Sequence, residues 1–350
     1  MISIPIAIRI RHLDVDRMGR ESSASASEES GRKIMQETIR LGISVCLLGE
    51  KVRYDGGHKR DAFLTDTLGK FVEYVQVCPE TECGLGVPRE TLRLEGDPDH
   101  PRLINTQTRK DRTDQMSTWA KNRITDLEQA DLCGFIFKKK SPSCGMKQVR
   151  VCNGKGGMVR KGSGIFARMF MNHFPLLPAE EEERLHDPGL RENFLERIFV
   201  CKRWRELLSE KKSRSGLTDF HTRHKLLIFS HSQEIYRIMG KLVAQAKNFP
   251  QDELYESYQK HLMESLAIET TPAKHADVLQ HMTGYFKKQL SGDEKQELIE
   301  LIEHYRIGYV PLIVPVTRIN HFARKYDQSH LKSQYYLNPH PTELQLKNHA

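Results

Sequence analysis

The stretch Lys138-Lys-Lys-Ser-Pro-Ser-Cys-Gly-Met-Lys147 places one cysteine, Cys144, in a polar turn directly after an apolar run. That run, residues 132–137, has the length and the branched and aromatic content of a buried strand. Cys46 and Cys78 stand in the same position, each at the end of its own apolar run. Three thiols are therefore expected at three strand ends.

From residue 41 the chain alternates apolar runs with amphipathic segments, which predicts a βαβ sheet rather than an all-helical or all-β fold. Strands are predicted at residues 41–45, 72–77, 132–137 and 149–159, a hairpin or lid over 89–104, and helices over 61–70, 114–130 and 164–174. Ligands of parallel sheets bind outside the carboxyl ends of the strands. We therefore expect a Rossmann-like α/β sheet with Cys46, Cys78 and Cys144 in one crevice.

The second half of the chain is helical by pattern, and we expect an all-α domain over residues 190–330. Helices are predicted at residues 190–212, 218–249 (capped by Thr218), 251–267, 271–288 and 291–305, the last with a capping box from Ser291 to Glu294. The α/β domain covers residues 39–185, and the Pro- and Glu-rich residues 178–188 are predicted to connect the two. Residues 1–38 are predicted to be a disordered extension and residues 331–350 a loosely packed tail.

Composition limits the class of protein. The 350 residues carry a net charge of +8 and a sequence pI near 9.0, which favours an anionic partner such as nucleic acid, although basicity also serves solubility. Seven cysteines, an odd number without a secretory signal, predict a reducing, cytoplasmic protein. The sequence indicates neither a membrane span nor an obligate protein partner.

Three converging thiols permit three kinds of site. Structural zinc usually takes four ligands from paired short-spaced motifs, and the chain has no Cys-x-x-Cys pair. A nucleophilic cysteine needs a positioned base, and no histidine lies near these cysteines in sequence. An iron–sulfur cubane held by three thiolates leaves one iron open as a Lewis acid. The residues alone leave all three open.

Polar residues beside the thiols are candidates for catalysis. Glu80, two residues after Cys78, is placed to act as a general acid/base or to cap a helix. Ser141 and Ser143 lie within three residues of Cys144, where a hydroxyl can orient a substrate, relay a proton or shape the turn. Lys140 and its neighbours add positive charge at the rim of the crevice or form a solvated face.

Together these motifs resemble the thiouracil desulfurase (TudS-like) family over residues 40–185, and residues 190–330 resemble the YbgA-like helical domain often fused to it. The motifs of the first part are Ser44-Val-Cys-Leu-Leu-Gly49, Val52-Arg-Tyr-Asp-Gly56, Val77-Cys-Pro-Glu80, Gly84-Leu-Gly-Val-Pro-Arg89 and Lys140-Ser-Pro-Ser-Cys-Gly145; those of the second are Phe220-His-Thr-Arg-His-Lys225 and His231. The combination is similar to enzymes that remove sulfur from 4-thiouridine in tRNA.

The resemblance implies a 4Fe-4S cluster held by Cys46, Cys78 and Cys144, with the fourth iron free for the sulfur of a thiolated pyrimidine. Water then replaces sulfur in a hydrolytic, non-redox reaction that releases hydrosulfide and leaves uridine or uracil. The implied substrate is thiolated tRNA, or a free thiolated base or nucleoside. A non-enzymatic RNA-binding or redox-sensing iron–sulfur protein is the alternative.

The resemblance also assigns roles to other residues. A glutamate and a serine of the family assist proton movement, which corresponds here to Glu80 and Ser141, with Ser143 as a competitor. Asp55 and Arg89 are implied to position the base or to support the loops. Cys83 is an extra thiol that the family pattern does not require.

In the helical domain, basic residues favour a grip on RNA phosphates, with a solvated basic face as the alternative. The candidates are Arg203, Arg205, Lys211, Lys212, Arg214, Arg223, His224 and Lys225.

Overall fold

The structure is a computed structural model that describes residues 38–153, 157–210, 212–341 and 344, with the side chains of residues 158–161 left aside. The predicted N-terminal extension, apart from residue 38, lies outside the described residues, as do Lys211 and most of residues 342–350. Among the described helices, none has the length and apolar content needed to cross a lipid bilayer.

The N-terminal part is built on two small sheets. Its strands are β1 (Ile39–Ser44), β2 (Val72–Val77), β3 (Leu92–Gly96), β4 (Pro101–Asn105), β5 (Gly134–Phe137), β6 (Val149–Cys152), β7 (Met158–Gly162) and β8 (Ala179–Glu181). One sheet has the order β2-β1-β5-β8 and is parallel throughout. The other has the order β4-β3-β6-β7, with a parallel β3–β6 pair between two antiparallel pairs.

Of the described helices, the first three lie between strands and the others follow β8. The helices are α1 (Pro79–Glu82), α2 (Thr113–Glu128), α3 (Ile165–His173), α4 (Pro188–Ser209), α5 (Arg214–His231), α6 (Gln233–Ala244), α7 (Gln251–Leu266), α8 (Pro272–Thr283), α9 (Gly292–Arg306), α10 (Ile313–Lys325) and α11 (Ser329–Lys332). The predicted class, a parallel α/β sheet followed by a helical part, is confirmed. The predicted strand over residues 149–159 is two strands, β6 and β7, and residues 61–70 form short π and 3-10 turns.

Residues 178–188 are more than the predicted connection, because β8 within them is the fourth strand of the parallel sheet. Its residues pair with β5 from Phe135 to Phe137. The strand is polar, yet Glu181 is buried because its Oε1 accepts the backbone amides of Met146 at 2.8 Å and Lys147 at 3.4 Å. Backbone pairing with β5 and hydrogen bonds from buried amides stabilise this strand although its sequence is not apolar.

The two faces of the parallel sheet are covered by different helices. On one face, Leu41 and Ile136 belong to the same apolar cluster as Phe194 and Ile198 of α4, so the sheet and the helical part share a core. On the other, Phe135 stacks on Phe137 at 4.2 Å between ring centroids and packs against Phe166 and Phe170 of α3.

The helical part follows the predicted caps with one correction. The capping box of Ser291 and Glu294 is present, and Thr271 caps α8. The helix predicted over residues 218–249 is two helices, because the Ser232 hydroxyl caps a new start at α6. Thr218 lies inside α5, where its hydroxyl donates to the carbonyl of Arg214 at 2.8 Å.

The described part of the predicted tail is packed rather than loose. Leu331 and Tyr336 are buried. The Tyr336 hydroxyl lies 2.9 Å from Nδ1 of His275, and the amide of Tyr335 donates to the Arg223 carbonyl at 3.0 Å. Apolar burial and these hydrogen bonds hold residues 331–341 against α5 and α8.

Candidate active site

A cavity of about 340 Å³ lies at the carboxyl ends of β1, β2 and β5. Cys46, Cys78 and Cys144 all line it, as the strand-end pattern predicts. Glu80, Arg89, Lys140 and Ser141 line it as well. Its volume is within the usual range of small-molecule sites.

The turn that carries Cys144 is fixed by its own hydrogen bonds. The Ser141 hydroxyl accepts the backbone amides of Ser143 and Cys144, each at 3.1 Å. The amide of Gly145 donates to the Ser141 carbonyl at 2.9 Å. A Cβ at Gly145 would lie 2.5 Å from Cγ2 of Val149, so the turn requires glycine there.

The start of α3 holds the same turn from the other side. The amide of Gly164 donates to the Gly145 carbonyl at 2.7 Å, and that of Ile165 donates to the Pro142 carbonyl at 3.1 Å. A Cβ at Gly164 would lie 2.5 Å from the carbonyl carbon and oxygen of Ser143. The first amides of a helix have no hydrogen-bond acceptor within it, and here they donate to carbonyls of the turn.

The other two cysteines are positioned by the ends of their strands. Cys78 precedes α1, where Pro79 suits the first turn, and its amide donates to Glu82 Oε1 at 2.6 Å. Cys46 lies in a 3-10 turn after β1, and its carbonyl accepts the amide of Lys59 at 2.9 Å. Ser44, which sequence reasoning did not single out, lines the cavity and accepts the amide of Lys138 at 2.9 Å.

The three thiols line one cavity and lie close enough for their charges to interact. Burial, followed by the neighbouring Cys78, raises the pKa of Cys46 to about 11. Burial, followed by Cys78, Glu80 and Cys46, raises the pKa of Cys144 well above its ordinary value. Three thiolates in this place need positive charge to offset their repulsion, which a bound metal centre supplies.

Three cysteine sulfurs on one cavity wall are a donor set that an iron–sulfur cluster can use. Over the described residues, no three His, Cys, Asp or Glu side chains are grouped to hold one metal ion. A tetrahedral zinc site would draw its sulfurs to about 2.3 Å from one point, whereas a cubane takes each thiolate on a different iron. The three sulfurs on the cavity wall therefore fit a cluster.

Glu80 is held at both carboxylate oxygens. Its Oε2 accepts Arg89 Nε at 2.9 Å and Arg89 Nη2 at 2.5 Å. Its Oε1 accepts the Ser143 hydroxyl at 2.9 Å and the Ser141 hydroxyl at 3.4 Å. Ser143 is fully buried, whereas Ser141 lines the cavity. The carboxylate is thus oriented by Arg89, and both Glu80 and Ser141 line the cavity.

Asp55 and Lys140 have different surroundings. The Asp55 carboxylate is exposed and accepts the amide of Gly57 at 3.0 Å, which lowers its pKa and shapes the loop. Asp55 is not among the residues that line the cavity. Lys140 lines it and has a positive φ of 62° at the start of the turn.

Two further cavity residues were missed by the sequence reasoning. Tyr54 lies on the wall with 41% of its surface exposed, and the Arg53 guanidinium lies 5.4 Å from its ring centroid. Both belong to the quoted motif Val52–Gly56, so the signal was available. An aromatic ring beside a guanidinium is a surface on which a planar base can stack.

The other cysteines lie elsewhere. Cys83 packs against the cluster of β3, β4 and β6, and its sulfur donates to the Glu80 carbonyl at 3.5 Å. Cys133 and Cys201 are buried in the core that joins the sheet to α4. Cys83 therefore does not compete with Cys78 for the cavity.

The basic residues predicted to grip RNA are mostly engaged within the protein. Arg203 is partly buried, with its guanidinium 4.0 Å from the ring centroid of Tyr335. Three of them form ion pairs: Arg205 with Asp131 at 2.8 Å, Lys212 with Asp252 at 2.6 Å and Arg223 with Asp219 at 3.0 Å. Arg214 donates hydrogen bonds to the carbonyls of Ala246 and Phe249. His224 is buried. Neither Arg223 nor Lys225 lines the cavity.

Comparisons with known proteins match the two halves separately. The family model for 2-thiouracil desulfurase matches residues 41–182, and that for the protein of unknown function DUF1722 matches residues 225–341. The protein YbgA of Escherichia coli (strain K12) is 33% identical over 153 residues, which cover 43% of this chain and 90% of YbgA. A solved structure of the 4Fe-4S-dependent thiouracil desulfidase TudS is 27% identical, covers 43% of this chain and 95% of that chain, and superposes with a TM-score of 0.36.

Proposed function

We propose that this chain, which belongs to the YbgA-like family and carries a 2-thiouracil desulfurase domain ahead of its YbgA-like part, is an iron–sulfur desulfidase of thiolated pyrimidines. The observation that carries the proposal is one cavity, within the matched residues 41–182, lined by three cysteines and by a glutamate whose two oxygens are fixed. No histidine lines this cavity in the described residues, so sulfur donors and one carboxylate supply its chemistry.

The cluster would be held by Cys46, Cys78 and Cys144. When bound by three cysteines, a 4Fe-4S cluster supplies one open iron that accepts the sulfur of the substrate as a Lewis acid. Ser44 and the amides around Cys144 fix the turn that presents these sulfurs.

The remaining residues bind the base and move protons. Tyr54 offers a ring for stacking of a pyrimidine, and Lys140 adds positive charge beside it. Glu80 takes a proton from the water that adds to the sulfur-bearing ring carbon, through Ser141 at the cavity wall. Arg89 keeps the carboxylate in place. Water enters and hydrosulfide leaves, so that the reaction is hydrolytic and needs no electron donor.

The basic charge of the chain favours an RNA substrate over a free base. We accordingly propose 4-thiouridine in tRNA as the principal target, with free thiouracil or thiouridine as smaller substrates of the same cavity. The cytoplasm, where tRNA is found and thiols stay reduced, is the proposed compartment.

The test is turnover by anaerobically reconstituted protein with 4-thiouridine-containing tRNA and, separately, with 2-thiouracil. Loss of the thiobase absorption together with release of hydrosulfide is the expected result. Cys144→Ala should lose both activity and the broad visible absorption of the cluster, whereas Cys83→Ala should keep both. Cluster-loaded protein that converts neither substrate would favour the redox-sensing alternative.

A further inference from the structure

Lys225 lies near several imidazoles in the helical part: the ring of His281 is 5.9 Å from that of Phe229, which is one turn after Lys225 on the same helix. Lys225 lies on α5, one turn after His221, while His281 lies on α8 and His330 on α11. The ring of Tyr285 lies between the last two, with centroid distances of 5.7 Å to His281 and 5.3 Å to His330. Three elements thus bring basic and aromatic side chains to one place.

The cluster has no acidic partner among the described residues. In the part of the chain that the structure describes, no carboxylate forms an ion pair with Lys225, His281 or His330. Nε2 of His330 is shielded from solvent and has no hydrogen-bond partner among those residues. Burial first and the nearby Lys225 second lower the pKa of His281.

This arrangement contrasts with the neighbouring basic residues. Arg223, two positions before Lys225, pairs with Asp219, and Lys325 of α10 pairs with Glu294 at 2.7 Å. Burying the charged ammonium group of a lysine costs free energy when no carboxylate lies beside it. A bound anion would offset this cost. A metal ion is a poor candidate, because the ammonium group repels it and the described residues offer no three ligands grouped for one ion.

We propose that Lys225, His281 and His330 bind a phosphate group of the RNA substrate, with the ring of Tyr285 beside it for an adjacent base. The inference rests on the proposed function in that the anion is assigned to an RNA. Lysine and histidine donate hydrogen bonds to phosphate oxygens without reading sequence, and interleaved aromatic rings are typical of single-stranded RNA sites. The site would hold the RNA while the cavity acts on its thiolated base.

The test measures binding rather than turnover, so that it stands apart from the desulfidase activity. Full-length protein is titrated into fluorescently labelled, unmodified tRNA transcript over a series of salt concentrations. Lys225→Gln should weaken binding about three- to tenfold and reduce the slope of log affinity against log salt by about one, since one phosphate contact is lost. Lys225→Arg should retain most of the affinity.

Lys260→Gln is the matched control. It removes the same charge from an exposed lysine of α7 that already has a carboxylate neighbour, Glu264 at 4.0 Å. The proposal is overturned if Lys225→Gln and Lys260→Gln bind the transcript alike. His330→Gln serves as a second variant, expected to weaken binding, should Lys225→Gln fail to fold by circular dichroism.

Inorganic phosphate separates the two sources of the anion. If inorganic phosphate displaces the labelled transcript only at concentrations far above that of the transcript, the site is a polynucleotide site. If phosphate shifts the imidazole NMR resonances of His281 and His330 while RNA affinity is unchanged in Lys225→Gln, the RNA assignment is wrong. Turnover of 2-thiouracil by the wild type tests the desulfidase proposal independently of either result.

Discussion

At the scale of single residues, the surroundings of Glu80 say most about the chemistry. An arginine side chain that is 7% exposed holds one oxygen, and two serine hydroxyls approach the other. A carboxylate held in this way is already oriented before the reaction, so it loses little rotational freedom when the reaction occurs. Of its two serine neighbours, Ser141 lines the cavity and Ser143 is fully buried, so substitutions can distinguish their roles.

Glu80→Gln should lower the rate constant for desulfidation by on the order of 10²- to 10⁴-fold, because the amide keeps the shape but cannot take a proton at neutral pH. The cluster absorption should remain, since no sulfur is removed. Steady-state kinetics beside the visible spectrum measure both. Glu73→Gln, which removes an exposed carboxylate from β2, is the control and should retain wild-type kcat. An active Glu80→Gln enzyme would exclude the acid/base role.

Ser141→Ala and Ser143→Ala should have different effects. Ser141 lines the cavity, so its loss should reduce kcat with little change in KM. Ser143 is fully buried, and its loss should cost about 0.5–1.5 kcal/mol of unfolding free energy with a smaller effect on kcat. Kinetics and urea unfolding of both variants distinguish them. The reverse pattern would assign the proton relay to Ser143.

At the scale of elements, the sequence predicted what local patterns encode. The strands that precede Cys46, Cys78 and Cys144 are rich in apolar residues, and the topology of a parallel sheet brings their carboxyl ends together. Strand β8 escaped prediction because Ala179-Glu-Glu181 has no strand-like apolar pattern. What stabilises it is pairing with β5 and two amide donors from a distant turn, which only the folded chain reveals.

Gly164→Ala tests the contact between α3 and the cysteine turn. The new Cβ would meet backbone atoms of Ser143, which cannot move without displacing Cys144. We expect a loss of about 1–3 kcal/mol in unfolding free energy and a fall in iron content per chain. Gly240→Ala is the control, because nothing lies near its Cβ within α6 and helix propensity should add about 1 kcal/mol. If Gly164→Ala were as stable as the wild type, the backbone of the cysteine turn would be able to move away from the new Cβ without cost.

Glu181→Gln tests the buried carboxylate of β8 through pH. Burial raises the pKa of Glu181, so between its ordinary and its raised pKa the folded state binds more protons than the unfolded state. Wild-type stability therefore falls as pH rises through that window, whereas the glutamine does not titrate. In urea unfolding, the stability of Glu181→Gln relative to wild type should increase as the pH rises above the ordinary carboxyl pKa of 4.5. A difference independent of pH would contradict this account.

At the scale of the whole molecule, most of the basic residues proposed to contact RNA have partners within the protein. The sequence shows the positive charges near residues 203–225 but not their partners, such as Asp131 and Asp252, which lie far along the chain. The remaining unbalanced cluster around Lys225 includes His281 and His330, residues that no local motif connects. The ion-pair partners of a charged residue depend on the fold, and the sequence predicts them only where the two residues are close along the chain.

The sheet and the helical part should unfold together, because α4 packs directly on the sheet. Ile198 is fully buried there, and Gly134 leaves it room: a Cβ at Gly134 would lie 2.9 Å from Ile198 Cγ2. Ile198→Ala should cost about 2–5 kcal/mol, whereas Ile299→Ala, at a position 40% exposed on α9, should cost less than about 0.5 kcal/mol.

The two tryptophans of the chain report on the two parts, Trp119 on α2 and Trp204 on α4. Trp119→Phe and Trp204→Phe each leave one reporter, whose fluorescence is compared with far-UV circular dichroism of the same variant in urea. Coincident midpoints are expected for both, and Ile198→Ala introduced into either should shift the fluorescence and dichroism midpoints by the same amount. A fluorescence midpoint that departs from the dichroism midpoint in either background would mean that the shared core does not couple the two parts, and that each unfolds alone.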